Sequence, residues 1–194
     1  MADQTTDIPQ GLFYSSDFVP SELSDRVLAF LKADESAQYL SGVKNSAGQI
    51  GANSRQRMMF GYDYENGRPA PEMPDVIREL RDLISTQLGE EFDQAIVNRY
   101  LPGQGINRHI DRADVYGPFI ACVTFGSGAE MEFTRSGYES CTIYTEPRSC
   151  YVMSDESRYD WQHQMRPRKN DRVSGQRVPR GIRWSVTFRR MLTN

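Results

Sequence analysis

The sequence has few histidines, few cysteines and no long apolar run, and each shortage argues against a class of protein. Cys122, Cys141 and Cys150 are odd in number and contain no CxxC spacing, which disfavours a disulfide framework and a structural zinc site. No apolar segment approaches the roughly 20 residues that a membrane-spanning helix requires. The N-terminus is polar and lacks the basic and apolar regions of a signal peptide. We therefore expect a cytoplasmic protein with no membrane contact, or a nuclear one if the source is eukaryotic.

Length and composition are those of one globular domain. The 194 residues are 38% hydrophobic and 25% charged, without the bias of a disordered chain. A chain of this length can bury a substantial core without disulfides or structural metals. We expect a flexible N-terminus over residues 1–10, a single domain over residues 11–194, and a monomer.

A net charge of -3 argues against a uniformly basic surface, yet the C-terminal region is locally basic. Asp171 is the lone acid between residues 166 and 190. The basic residues of this segment are Arg166, Arg168, Lys169, Arg172, Arg177, Arg180, Arg183, Arg189 and Arg190. Such a run is either a solvated face or a rim that contacts a polyanion. We expect residues 164–181 to form a basic loop.

Hydrophobic periodicity predicts helices first and strands afterwards. Apolar residues recur at helical spacing over residues 23–31 and again over residues 76–88, and residues 41–57 read as loop. After Gly89, short runs rich in β-branched and aromatic residues alternate with turns. The predicted strands cover residues 95–101, 119–125, 131–133, 141–144, 149–153 and 183–190. The order favours an α+β domain in which helices pack on one face of a sandwich or barrel.

The two histidines occur in a context that suggests a metal site. His109 and Asp111 are separated by one residue, and on a strand such residues share a face. With His163 from a distant strand they would form the two-histidine, one-carboxylate triad of non-haem iron(II) oxygenases. An isolated histidine is more often structural, and an HxD pair alone is weak evidence.

The last predicted strand places two arginines on one face. Arg183 and Arg189 alternate with the apolar residues Trp184, Val186 and Phe188. Buried guanidinium groups need anions, and a small dicarboxylic acid would satisfy both arginines. The alternative is a wet edge where both pair with surface acids.

A third strand carries polar residues on one face. Asn98 and Tyr100 lie just before the turn that begins at Pro102, and they could hydrogen-bond the same small acid. A structural role for Tyr100 is nearly as plausible from the pattern.

Four motifs, in this order and spacing, resemble the AlkB family. They are Asn98-Arg99-Tyr100-Leu101-Pro102-Gly103, His109-Ile110-Asp111, Glu156-Ser157-Arg158 ahead of His163, and Arg183-Trp184-Ser185-Val186-Thr187-Phe188-Arg189. The resemblance implies a double-stranded β-helix (jelly-roll) core, Fe(II), 2-oxoglutarate and O₂. It implies iron ligation by His109, Asp111 and His163. It also implies 2-oxoglutarate binding by Arg183 and Arg189, with Asn98 and Tyr100 as further contacts.

The resemblance also implies a substrate class. AlkB relatives mostly oxidise alkylated bases in single-stranded DNA or RNA, which must leave the base stack first. The corresponding lid is the segment Arg55–Tyr64, whose basic and aromatic residues suit backbone contact and base stacking. The candidate substrate-binding residues are Arg57, Met58, Phe60, Tyr62 and Arg158. The alternative is an aromatic strand in which Met58 and Phe60 pack on the core.

The sequence leaves three hypotheses for the reaction. The first is oxidative demethylation of N-alkylated bases in nucleic acid, releasing formaldehyde, succinate and CO₂. Repair-type members carry an acid where this chain has Ala113, with Asp114 one residue later. The lid and the segment around Arg158 look closer to the branch that hydroxylates a modified wobble uridine in tRNA, which is the second hypothesis. A protein-directed or non-catalytic relative is the third.

Overall fold

The computed structural model describes residues 8–43 and 54–192. Its helices are α1 (Ser21–Lys32), α2 (Asp34–Ala37), α3 (Asp75–Leu88) and α4 (Asp155–Tyr159). The N-terminal strands are β1 (Leu12–Ser15), β2 (Ser41–Gly42), β3 (Gln56–Phe60), β4 (Tyr62–Asp63) and β5 (Arg68–Pro69). The central strands are β6 (Gln94–Tyr100), β7 (Ile106–His109), β8 (Tyr116–Gly126), β9 (Ala129–Thr134) and β10 (Cys141–Thr145). The last strands are β11 (Cys150–Met153), β12 (Gln162–Met165), β13 (Asn170–Val173), β14 (Gln176–Pro179) and β15 (Arg183–Met191).

Two antiparallel sheets face each other. The larger has seven strands in the order β1-β11-β8-β15-β6-β3-β2, and the smaller has the order β10-β9-β12-β7. Residues of both sheets share one apolar cluster, in which Ile120 and Tyr151 meet Met131 and Phe133. This arrangement confirms the predicted jelly-roll core.

Helices α1 and α3 cover the outer face of the larger sheet. Leu23 and Val27 of α1, and Ile77 and Leu80 of α3, share a second cluster with the sheet residue Val186. Fully burying an aliphatic side chain of this size contributes roughly 1.5–3 kcal/mol, so these faces hold the helices in place. The predicted packing of the N-terminal helices on one sheet face is confirmed.

Strand β15 runs through the middle of the larger sheet between β8 and β6. Trp184, Val186 and Phe188 belong to the cluster beneath the helices. Because side chains alternate along a strand, Arg183 and Arg189 point into the space between the sheets, where both are buried. The period of two therefore assigned both faces correctly, and the wet-edge alternative is excluded.

Two loop predictions need correction. Residues 164–181 are not a continuous loop, because β12 extends to Met165 and strands β13 and β14 form a hairpin. The hairpin turns at Ser174 and Gly175, whose φ angles are 49° and 79°. Within residues 41–57, β2 and the start of β3 are strands, and residues 44–53 lie outside the described ranges.

The chain termini are described only in part. Residues 1–7 lie outside the described ranges, and the carbonyl oxygen of Gln10 accepts a hydrogen bond from the Ser157 amide at 2.9 Å. A domain boundary at residue 11 remains a prediction. None of the helices among the described residues has the length and apolarity required to cross a membrane.

Candidate active site

Strand pairing brings the two histidines together. His109 ends β7, and His163 lies directly opposite it on β12. Asp111 follows two residues after the end of β7, and its Oδ1 lies 3.6 Å from His109 Nε2. One ligand atom from each of the three residues lies within 4.8 Å of the others. The strand predicted for the HxD pair therefore covers only the histidine, but the predicted cluster forms.

The histidine rings are held in defined orientations. His109 Nδ1 lies 2.8 Å from the carbonyl oxygen of Asn107, a distance that suits donation from Nδ1 and leaves Nε2 free to act as a ligand. The His109 and His163 rings lie 4.3 Å apart between centroids. These contacts aim both imidazoles at the same small volume.

The charge states suit a divalent cation. Burial alone would raise the pKa of Asp111, but Arg189 and the two histidines hold it well below its usual value. The Arg189 guanidinium donates to Asp111 Oδ2 at 2.9 Å. Burial, reinforced by the neighbouring His109, lowers the pKa of His163 to about 3. An ionised carboxylate and a neutral imidazole are the forms that bind metal.

Arg158 holds the segment that carries Asp111. Only 2% of this residue is exposed. Its guanidinium donates to the backbone carbonyls of Asp111 at 2.7 Å, Arg112 at 3.2 Å, and Tyr116 and Gly117 at 3.3 Å. Every guanidinium nitrogen is therefore occupied. The predicted substrate contact at Arg158 is wrong, because the side chain is buried beneath the metal-ligand loop.

A small inner cavity of about 40 Å³ lies between the sheets behind the triad. Arg183 pairs with Tyr100, and Ser185 with Asn98, because β15 and β6 run antiparallel in that register. All four residues line the cavity, together with Arg189. The structure thus brings together every residue predicted to bind the cosubstrate.

The inner cavity contains unsatisfied donors. Arg183 Nη2 donates to Thr124 Oγ1 at 2.9 Å, while its Nε is buried without a hydrogen-bond partner among the described residues. Arg189 Nη1 is likewise buried without a hydrogen-bond partner among the described residues. An unsatisfied buried donor costs about 1–3 kcal/mol, more when charged. A dicarboxylate such as 2-oxoglutarate would supply acceptors to both arginines, so the residues present fit this cosubstrate.

An open outer cleft of about 500 Å³ meets the inner cavity at the triad. Asn98, His109, Asp111 and Arg189 line both spaces. The other polar or aromatic lining residues are Ser54, Arg55, Arg57, Tyr64, Asn107, Arg108, Arg112 and Tyr116. Among the described lining residues, Asp111 is the one carboxylate. A metal at the triad would therefore face a cationic, aromatic cleft on one side and the buried arginines on the other.

The family follows from a match that covers this whole site. The model of the 2OG-Fe(II) oxygenase superfamily matches residues 30–189. The chain belongs to this superfamily. It is a 2-oxoglutarate-dependent dioxygenase that uses Fe(II), 2-oxoglutarate and O₂.

Relatives narrow the oxygenase to the AlkB family. The uncharacterised protein L905 of Acanthamoeba polyphaga mimivirus is 37% identical over 71% of this chain and 71% of its own length. The tRNA (carboxymethyluridine(34)-5-O)-methyltransferase alkbh8 of Xenopus tropicalis is 30% identical over 95% of this chain, but the match spans only 32% of alkbh8. The DNA oxidative demethylase ALKBH2 of Bos taurus is 28% identical over 64% of this chain and 46% of its length.

Solved structures agree on the fold. The structure of OsALKBH1 superposes with a TM-score of 0.66 at 16% identity, covering 94% of this chain and 99% of the other. At that identity the likeness supports the jelly-roll architecture of this oxygenase and leaves its substrate open. The sequence relatives make the chain an AlkB-family oxygenase, and the structural likeness shows its fold.

The lid residues predicted for this oxygenase divide between cleft and core. Arg57 lines the outer cleft and donates to Glu65. Met58 and Phe60 are 1% and 0% exposed and pack in the cluster beneath the helices. Tyr62 is half-buried on β4 and is not among the cleft residues. The predicted substrate contacts at Met58 and Phe60 are wrong, and the alternative of a strand packed on the core is correct for both.

Several residues of the oxygenase cleft were not identified from the sequence. Arg55 donates from Nε to Asn98 Oδ1 at 3.0 Å and so links the lid to the inner cavity. Tyr64 and Tyr116 meet edge to face, with centroids 5.6 Å apart. Arg55 and Tyr64 lay inside the predicted lid and could have been included. Tyr116 had no local signal, because it begins β8 after the metal-ligand loop.

Proposed function

We propose that this dioxygenase oxidises an alkyl substituent on a base of nucleic acid, with the base held in the outer cleft. The supporting observation is the position of the triad between an inner cavity with unsatisfied guanidinium donors and an outer cleft rich in arginine and tyrosine. His109, Asp111 and His163 hold Fe(II), and Arg183 and Arg189 bind 2-oxoglutarate.

The bound iron, 2-oxoglutarate and O₂ together supply the oxidising chemistry that converts a C–H bond to C–OH. The protein binds the metal and the cosubstrate and orients them. Arg183, which lines the inner cavity, would hold a cosubstrate carboxylate there. Arg189 keeps Asp111 ionised and correctly turned, and Arg158 fixes the loop behind it. The inner cavity would place the cosubstrate between the two sheets, among buried side chains such as Tyr100 and Tyr151.

The first candidate substrate is a modified wobble uridine in tRNA, which would be hydroxylated. An N-methylated adenine or cytosine of the repair type carries a positive charge and calls for a nearby acid. Asp114 cannot serve, because it is exposed and pairs with Arg112 at 2.5 Å. A neutral uridine, or one with a carboxylate substituent, suits the arginines of the cleft. The match with alkbh8 over 95% of this chain supports the same choice.

The second candidate is demethylation of an N-alkylated base in single-stranded DNA or RNA. Hydroxylation of an N-methyl group gives a product that releases formaldehyde and leaves the bare nitrogen. The named activity of the ALKBH2 relative favours this reaction. Tyr64 would stack with a flipped base in either case, and the buried Tyr116 packs edge to face against it.

Mass spectrometry of reaction products separates the candidates. The protein is incubated with Fe(II), 2-oxoglutarate, ascorbate and air, with His109→Ala as the control. Substrates are DNA and RNA oligonucleotides with N-methylated bases and an anticodon stem-loop with a modified wobble uridine. Gain of one oxygen on the stem-loop supports the first candidate, and loss of a methyl group supports the second. If 2-oxoglutarate is consumed but no oligonucleotide changes, the proposal fails and a protein substrate becomes the better hypothesis.

A further inference from the structure

The β13–β14 hairpin presents two arginines on its outer face. Arg172 and Arg177 lie directly opposite each other in the antiparallel register, and both are exposed. The turn between the strands has two residues, Ser174 and Gly175, both at positive φ. Tight two-residue turns of this kind hold the strands in one register. The two guanidinium groups are therefore kept side by side.

This pair of like charges is uncompensated. Neither Arg172 nor Arg177 forms an ion pair within residues 8–43 and 54–192. Like charges directly opposite on a strand pair are destabilising, because their Cβ atoms lie about 5 Å apart. An anion bridging the two side chains would relieve that repulsion.

Other arginines of the same segment are already paired. Arg166 contacts Glu132 at 2.6 Å, and Arg168 contacts Glu130 and, at 2.8 Å, Asp171. Arg183 and Arg189 are buried in the active site. The arginines of the basic run therefore have different roles, and its exposed, unpaired cations among the described residues are Lys169, the hairpin residues Arg172 and Arg177, and Arg190.

The inner face of the hairpin joins its two strands and ties them to the chain that precedes them. Arg180 donates from Nε and Nη2 to the two carboxylate oxygens of Asp171, each at 2.6 Å, and both residues are buried. Arg180 Nη1 also donates to the carbonyl oxygen of Arg166 at 2.9 Å. Paired hydrogen bonds of this type are strong and directional. The strands that carry Arg172 and Arg177 are therefore held together by hydrogen bonds on their inner face.

The base of the hairpin adjoins the rim of the outer cleft. Gly105 lines the cleft, and a Cβ atom added there would lie 2.2 Å from the carbonyl oxygen of Met165, so the two segments are in close contact. The side chain of Lys169 passes over Gly103, where an added Cβ would lie 3.8 Å from Lys169 Cγ. The chain that leads into the hairpin therefore contacts the segment Gly103–Gly105, which borders the cleft.

We propose that Arg172 and Arg177 form a phosphate clamp for the backbone of the nucleic acid whose base enters the cleft. The clamp rests on the proposed function, since it requires a nucleic-acid substrate. Two adjacent guanidinium groups match the spacing and charge of backbone phosphates and carry no base information. The hairpin therefore adds affinity outside the cleft, and its contribution weakens with salt.

The test is fluorescence anisotropy with a labelled anticodon stem-loop and a labelled single-stranded RNA, both unmodified, at several salt concentrations. We expect Arg172→Gln/Arg177→Gln to bind roughly 10- to 30-fold more weakly near 0.1 M salt, with a salt slope reduced by about 1.4, the value for two single-strand phosphate contacts. The charge-preserving variant Arg172→Lys/Arg177→Lys should retain most of the affinity. Thermal melting checks that each variant is folded.

The matched control is Arg78→Gln/Arg81→Gln, which removes the same charge from α3 on the helical side of the larger sheet. It should bind RNA like the unaltered protein. Equal losses in both double variants would overturn the clamp and leave only a general charge effect. Unchanged binding in the hairpin variant would overturn it as well. If the unaltered protein binds no nucleic acid at all, the proposed function itself fails, which is a separate outcome.

Discussion

The inner cavity and the outer cleft share the triad but are built differently. The inner cavity is enclosed by paired strands, and residues such as Arg183 and Asn98 reach it through regular alternation. The outer cleft is bordered by strand ends and loops, and Arg108 and Tyr116 reach it from separate segments. Strand register determines the first space tightly, while the second depends on how loops pack. Strand pairing therefore fixes the shape of the cosubstrate end of the site. The shape of the substrate end depends on loop packing, which can differ between members of the family.

The largest expected effect is at the junction of the two spaces. Asp111→Asn removes the ligand charge and leaves Arg189 buried without its partner. We expect Mn(II) affinity to fall well beyond the roughly 10- to 100-fold that residues contacting only the ligands contribute. Isothermal titration calorimetry with Mn(II), which binds sites similar to those of Fe(II), measures this affinity. Asp114→Asn makes the same chemical change on an exposed residue and should leave affinity unchanged; equal losses would contradict the assignment.

A substitution confined to the inner cavity should change only the binding of 2-oxoglutarate. Arg183→Met removes two charged donors, each contributing about 1.5–3 kcal/mol, so the KM for 2-oxoglutarate should rise by at least about 100-fold. Succinate formation at varied 2-oxoglutarate measures it. The control is Arg99→Met, which is on the neighbouring strand and stacks on Trp184 away from the cavity. A matching rise in that variant would show that strand damage, rather than loss of the anion contact, is responsible.

Replacing Met58, a core residue within the segment predicted to be the lid, should change only the stability of the protein. Met58→Ala leaves a cavity beneath the helices, and we expect a loss of about 2–5 kcal/mol in the free energy of unfolding. Urea denaturation measures it, and Met59→Ala, on the half-buried face of the same strand, should cost less. If Met58→Ala instead weakened nucleic-acid binding without lowering stability, Met58 would be a substrate contact, as the sequence predicted.

The smallest expected effect is in the outer cleft. Tyr64→Leu removes a stacking surface and should raise the KM for the nucleic-acid substrate roughly 10-fold, while the KM for 2-oxoglutarate stays constant. Steady-state kinetics on whichever oligonucleotide is modified gives both constants. Tyr138→Leu alters an exposed tyrosine that contacts Trp161 and serves as the control. An equal change in both KM values would mean that the two spaces are not separable.

The errors in sequence interpretation fall where side-chain direction depends on distant partners. The alternation along β15 is visible in seven consecutive residues, so Arg183 and Arg189 were assigned to the correct face. In β3 the same alternation put Arg57 towards the cleft and Met58 towards the core, but both faces looked plausible until β6 was seen to pair with it. Arg158 was predicted to contact the substrate, because nothing nearby in sequence supplies its four carbonyl acceptors.

Local sequence was sufficient to predict the fold class, the cluster of His109, Asp111 and His163, and the strand face that brings Arg183 and Arg189 into the inner cavity. These depend on strand periodicity and on motifs whose spacing survives folding. Only the packed structure showed that Arg158 supports the Asp111 loop, that Met58 and Phe60 belong to the core, and that Arg172 faces Arg177. Each of those facts is a contact between segments distant in sequence, and a contact of that kind is created by chain packing rather than by local conformational preference.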